Sequence, residues 1–138
     1  MEISHAEQIM VTLLRRQSMG YRSDVVLVVT REAFGDMWRE DAETMNAVTG
    51  YADTITKKDD AVLIVWSYIK WSDFYGEIAK FQNLLNGLDH DHFQFLRLGE
   101  DYNDTEERGG YWDNPFETRI SRSLDYDTGE PLNLDVFR

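Results

Sequence analysis

Asp24-Val25-Val26-Leu27-Val28-Val29-Thr30 is the stretch on which the fold turns. Five consecutive apolar residues, four of them β-branched, read as a strand. A strand wetted on one face alternates apolar and polar residues, and this one does not. It is therefore expected at the centre of a sheet, covered on both faces.

Outward from this strand, Thr30 is placed to cap a helix running to about Val48, with Phe34, Met37, Trp38 and Met45 on its inner face and Gly50 and Tyr51 closing it. A weak strand is expected over 52–56, then a turn at Lys57-Lys58-Asp59-Asp60. A strong strand follows over 61–71, with Val62, Ile64, Trp66 and Tyr68 on one side and Leu63, Val65 and Ile69 on the other. Ser72 is read as the cap of the most regular helix, whose stripe Phe74, Ile78, Phe81, Leu85 and Leu88 ends at Gly87. Phe93 to Leu98 alternates as a strand, and Thr118 to Leu124 is expected to add another. Upstream, Ser4 and Glu7 have capping-box spacing ahead of an amphipathic helix to Gln17.

The order β-α-β-β-α-β predicts an α+β fold with a ferredoxin-like antiparallel sheet, an extra N-terminal helix and an acidic C-terminal extension. The corresponding divisions are 1–18 as a helical extension, 19–125 as the α+β domain and 126–138 as a tail. Two helices cover one sheet face. The N-terminal helix, the C-terminal tail or a second copy of the chain is expected to cover the other, which makes a homodimer one of the expectations.

Composition restricts the functional classes. The chain has 138 residues, a formal net charge of −12 and no cysteine. Fourteen basic residues against 26 acidic ones argue against a general DNA or RNA binder, because phosphate contacts require Lys and Arg. Disulfides, thiolate metal sites and a Cys nucleophile are excluded. No apolar run approaches the roughly 20 residues of a membrane span, and no secretion signal is expected. The acidity is uneven: residues 99–138 hold eleven acids against four bases, −7 of the −12.

Several local blocks carry a resemblance: Met19-Gly20-Tyr21-Arg22-Ser23-Asp24-Val25, Tyr68-Ile69-Lys70-Trp71, the run from Leu96 through Gly99-Glu100-Asp101-Tyr102 to Glu107, and Ile120-Ser121-Arg122-Ser123-Leu124. Together they resemble a family of small acidic hypothetical proteins carried by bacteriophages and prophages, over about Met19 to Leu124. The resemblance implies a phage or mobile-element setting in the cytoplasm of a bacterial host. It implies no particular reaction.

The sharpest chemical candidates are polar clusters. Glu100, Asp101, Asp104, Glu106 and Glu107 form an acidic block without the spacing of a calcium-binding loop. With Tyr111 and Trp112, typical interface anchors, they are read as partner-binding. Arg22, Arg97, Arg119 and Arg122 are the candidate anion-binding set, since Arg holds phosphate or carboxylate bidentately. His90 and His92 flank Asp91 in a helix-to-strand turn and lack an evident third metal ligand; no metal or cofactor is expected. No nucleophile elbow, P-loop or dinucleotide fingerprint is present, so no local motif marks a catalytic centre, although active sites also assemble in space from distant residues. The resulting expectation is a phage accessory protein that binds and inhibits a host protein, with an anti-CRISPR or anti-restriction factor foremost, its acidic surface mimicking nucleic acid. The alternatives are a small nucleotide- or anion-binding domain or enzyme built on the arginines, and a structural homodimer.

Overall fold

The computed structural model describes residue 4, residues 20–121 and residues 124–138. The expected helix from Ser4 to Gln17, apart from Ser4 itself, lies outside the described residues, as does Arg122. The described chain is α+β. Its strands are β1 (Ser23–Thr30), β2 (Thr54–Lys58), β3 (Ala61–Ile69), β4 (Phe93–Gly99), β5 (Thr105–Gly109) and β8 (Glu130–Pro131), which form one six-stranded sheet in the order β5-β4-β1-β3-β2-β8. Every neighbouring pair is antiparallel. β6 (Arg119–Ile120) and β7 (Leu124–Asp125) form a separate two-stranded ladder, so the expected strand over Thr118 to Leu124 does not extend the main sheet.

The helices are α1 (Arg31–Glu40), α2 (Ala42–Gly50) and α3 (Gly76–Asn86). Thr30 caps α1 as expected, accepting a hydrogen bond from the Ala33 N–H at 3.2 Å. The single helix expected to reach Val48 is interrupted at Asp41. That carboxylate accepts from the backbone N–H and the hydroxyl of Thr44, and so starts a new helix. These same hydrogen bonds hold the Asp41 carboxyl below its ordinary range. Ser72 does not cap α3. Its hydroxyl accepts from the Phe74 N–H, and Phe74, expected in the inner stripe, is 69% exposed ahead of the helix.

The phase of β1 divides the core in two. Val25, Leu27 and Val29 face the helices together with Val62, Ile64, Trp66, Phe93 and Phe95. Trp66 is the hub of this layer: its Nε1–H donates to the Val48 carbonyl at 2.9 Å, and its ring lies 5.0 Å from Trp71 and 5.7 Å from Phe81. Val26 and Val28 face the opposite side with Ala61, Leu63 and Val65. Phe116, with no exposed surface, seals that second core, and Tyr111, Leu124 and Tyr126 pack around it. Among the described residues, Tyr111, Phe116, Leu124 and Tyr126 of the chain itself cover the second face, and Val26 and Val28 are buried without a second copy. Residues 126–138 also return to the body. β8 pairs with β2, and Leu132, Leu134 and Phe137 pack on the helix-side core, Phe137 5.1 Å from Phe34.

Candidate functional site

At one end of the sheet, the start of β1 meets the β4–β5 hairpin around Arg97. This guanidinium is only 5% exposed. Its Nη2 donates to Asp104 Oδ1 at 2.6 Å, Nη1 to Asp104 Oδ2 and Ser23 Oγ at 3.1 Å each, and Nε to Glu106 Oε1 at 3.1 Å. The Tyr21 hydroxyl donates to Asp104 Oδ2 at 2.6 Å and accepts from the Asp101 N–H at 3.1 Å. The Arg22 N–H donates to Glu100 Oε1 at 2.7 Å. Gly99 lets the Asp104 carboxylate and the Tyr21 hydroxyl close over the backbone. A Cβ there would stand 2.2 Å from Asp104 Oδ2 and 2.4 Å from the Tyr21 hydroxyl. Residues 21–23 and residues 97–106, far apart in the sequence, thus converge on this one network.

Burial opposes the charge on Arg97. Hydrogen bonds and charge from Asp104, then Glu106, outweigh it and hold the guanidinium above its ordinary value. Burial, the largest cause, together with the Asp104 carboxylate outweighs the opposing pull of the Asp101 N–H and pushes the Tyr21 hydroxyl up to about 12. The folded chain keeps this proton while the unfolded chain, at 10.0, releases it. Its stabilising contribution is therefore whole below pH 10 and is lost as the pH rises towards 12. Two pH units correspond to at most ~2.7 kcal/mol, and solvent screening at the sheet's end reduces the expected loss to about 1–2 kcal/mol. Urea midpoints taken at about pH 8 and about pH 11.5 should fall further for the wild type than for Tyr21→Phe. An equal fall in both would remove Tyr21 as the titrating group.

The expected arginine cluster does not assemble among the described residues. Arg97 is saturated by carboxylates. Arg119 sits on β6, 66% exposed, with Asp125 Oδ2 at 3.7 Å. Arg22 lies with its guanidinium carbon 5.4 Å from the centre of the Tyr68 ring. The acidic block is also divided. Asp104 and Glu106 turn inward to Arg97, whereas Glu100 and Glu107 are exposed and Asp101 is half-buried. Glu107 and the 54%-exposed Trp112 line one cleft with His90 and Arg108, beside the edge strand β5. Arg108 is tied to α3 through Gln82 and Asn86 and lies over Phe95, while Tyr111 is half-buried against the second core. His90 and His92 fall in a 3-10 turn between α3 and β4, capped by Asp89. Among the described residues, no three His, Asp or Glu side chains are grouped to hold a metal ion.

One further site was not expected from the sequence. Ser23 pairs with Ile69 and Val25 with Trp66, so Ser67 and Tyr68 together stand opposite Asp24 in a β-bulge. Two N–H groups here lack a strand partner, one at the bulge and one past the end of β2, and two carboxylates take them: Tyr68 N–H donates to Asp24 Oδ1 at 2.9 Å, and Ser67 N–H to Asp53 Oδ2 at 2.5 Å. Tyr68 adopts φ of +53° and is 67% exposed, so it does not join Trp66 on the inner side as alternation predicts. A left-handed conformation at a non-glycine residue costs about 1–2 kcal/mol. Tyr51, 52% exposed, donates its hydroxyl hydrogen to Glu77 Oε1 at 2.6 Å in the same cleft of about 470 Å³, which Tyr75, Arg22 and Lys70 also line. The only trace of the bulge in the sequence is Ser67, which interrupts the apolar alternation of β3.

Among the described residues no helix is long and apolar enough to cross a membrane. No family model, no curated protein and no solved structure matches the chain.

Proposed function

We propose that the chain is a phage-encoded accessory protein that binds and inhibits a host protein in the bacterial cytoplasm, in the manner of an anti-CRISPR or anti-restriction factor. In this reading β1 to β4 and their crossing helices are a ferredoxin-like βαββαβ unit carrying an acidic C-terminal extension. The order β4-β1-β3-β2 within the sheet supports the first part, and the −7 of residues 99–138 supports the second. The observation that carries the functional reading is the cleft that Trp112 and Glu107 line together beside the edge strand β5. An exposed Trp supplies apolar contact area at an interface. A carboxylate beside it suits a partner whose surface is basic because it normally holds nucleic acid. Asp104 and Glu106 are not part of that surface, since Arg97 engages them internally.

The test is capture from a bacterial host lysate, followed by a nucleic-acid-binding assay of the captured protein. The captured protein is expected to lose nucleic-acid binding when complexed. Glu107→Lys and Trp112→Ala are each expected to weaken capture about tenfold or more, while the urea midpoint stays within about 0.5 kcal/mol of the wild type. If the captured protein retains its nucleic acid, or if both variants capture it as well as the wild type does, the reading is wrong.

A further inference from the structure

The Tyr68 bulge presents a strained aromatic ring to solvent. Glycine would hold the same φ without strain, and at 67% exposure the ring seals no part of the core. The architecture around it is nonetheless elaborate, with Asp24 and Asp53 each holding one of the N–H groups that lack a strand partner. A bulge of this kind re-aims a side chain, and strained non-glycine residues cluster at ligand clamps. The polar groups of the cleft divide by sign. The acids that line it already carry hydrogen bonds, Asp53 from the Ser67 N–H and Glu77 from the Tyr51 hydroxyl. The cations do not: Arg22 and Lys70 make no ion pair among the described residues, in a chain with 26 acids and 14 bases. What the cleft has left to offer is aromatic faces and cationic donors.

The geometry points to a binding site for a nucleoside monophosphate, its base stacked on the exposed Tyr68 and Tyr51 rings and its phosphate held by Arg22 and Lys70. Every base has a face that stacks on an aromatic ring, and Arg and Lys are the usual phosphate donors. The Arg22 guanidinium lies 5.4 Å from the centre of the Tyr68 ring, which at 67% exposure keeps surface for a base beside that cation. A volume of about 470 Å³ is within the range of small-molecule sites. The net charge of −12 disfavours a polynucleotide, which would bring many phosphates against the acidic surface, and leaves the mononucleotide as the fitting size. This site is separate from the Trp112 cleft, so it stands or falls independently of the inhibitor reading.

Calorimetric titration of the full chain with AMP and UMP, and with adenosine and inorganic phosphate as the two halves of the ligand, tests the site. The monophosphates are expected to bind at least about tenfold tighter than either half. Tyr68→Gly is expected to weaken AMP binding by about tenfold or more while the urea midpoint stays level or rises, because the strain is relieved. Arg22→Ala and Lys70→Ala are each expected to weaken AMP binding several-fold and to leave adenosine binding unchanged. No binding at millimolar AMP, equal binding of adenosine and AMP, or AMP binding that survives Tyr68→Gly would each overturn the assignment.

Discussion

Replacing Arg97 by alanine is expected to lower the unfolding free energy by about 3–5 kcal/mol. The size of the effect comes from what the substitution leaves behind. The guanidinium is 5% exposed, and the carboxylates it joins are 15% exposed at Asp104 and 33% at Glu106. Without Arg97 two negative charges remain close together and poorly solvated, which costs more than the intact pair ever contributed. Ser23 Oγ loses its donor in the same step, and the hairpin loses its tie to the start of β1. The exposed pairs provide the contrast. Arg39 with Asp36, at 73% and 53% exposure, and Arg138 with Asp135, at 49% and 77%, are each expected to contribute no more than about 0.5 kcal/mol.

Urea denaturation of Arg97→Ala, Asp104→Ala and their double variant measures the network directly. Their effects are expected to be non-additive by about 1.5 kcal/mol or more, because both remove the same bidentate contact. Losses below about 1 kcal/mol in Arg97→Ala, or strict additivity, would show that the network is ornamental and return Asp104 and Glu106 to the surface. That outcome would also affect function, since Asp104 and Glu106 would again be available to a partner. Under the structural reading, the conspicuous acidity of residues 100–107 is partly a consequence of burying one arginine.

The strand signals were the most legible part of the chain. The unbroken run of β1 predicted a central strand covered on both faces, and β1 lies between β3 and β4 with a core on each side. What periodicity could not convey was where a pattern is interrupted by a side chain bonding to the backbone. Met45 continues the inner face begun by Phe34 and Met37, so the break at Asp41 leaves hydrophobic spacing nearly intact, and only the capping role of Asp41 marks it. The same holds at Ser67 and Tyr68, where Asp24 and Asp53 stabilise a bulge that reverses the phase of β3. The candidate residues were legible by type and not by partner. Arg97 and its acids were each noticed, but as two separate sites, because a β-hairpin brings positions 97, 104 and 106 together and composition carries no pairing information. Trp112 and Glu107 are recognisable in the sequence as contact residues by type, whereas the cleft that joins them is not.

Phe116→Ala is expected to destabilise the chain by about 3–5 kcal/mol, the usual loss for emptying a fully buried Phe site. Phe116 belongs to no strand of the sheet, yet it is the largest fully buried side chain over Val26, Val28, Leu63 and Val65. Its loop is shaped to hold it there. The Phe116 N–H donates to Asn114 Oδ1 at 3.0 Å, its carbonyl accepts from the Asp127 N–H at 2.8 Å, and Asn114 Nδ2 donates to the Tyr111 carbonyl and Thr118 Oγ1. Because these polar contacts are made by the backbone and by Asn114, alanine at 116 should leave the loop path intact and open a cavity beneath it. Phe116→Leu, which keeps most of the volume, is expected to lose less than about 1.5 kcal/mol. The uncovered valines are also expected to make the alanine variant associate as concentration rises, visible as a concentration-dependent sedimentation coefficient that the wild type lacks. A loss under about 1 kcal/mol with unchanged sedimentation would mean that the second face of the sheet is sealed by something other than this loop. The run Val25–Val29 would then again call for a second copy of the chain, and the homodimer would regain the premise that the intrachain cover removes.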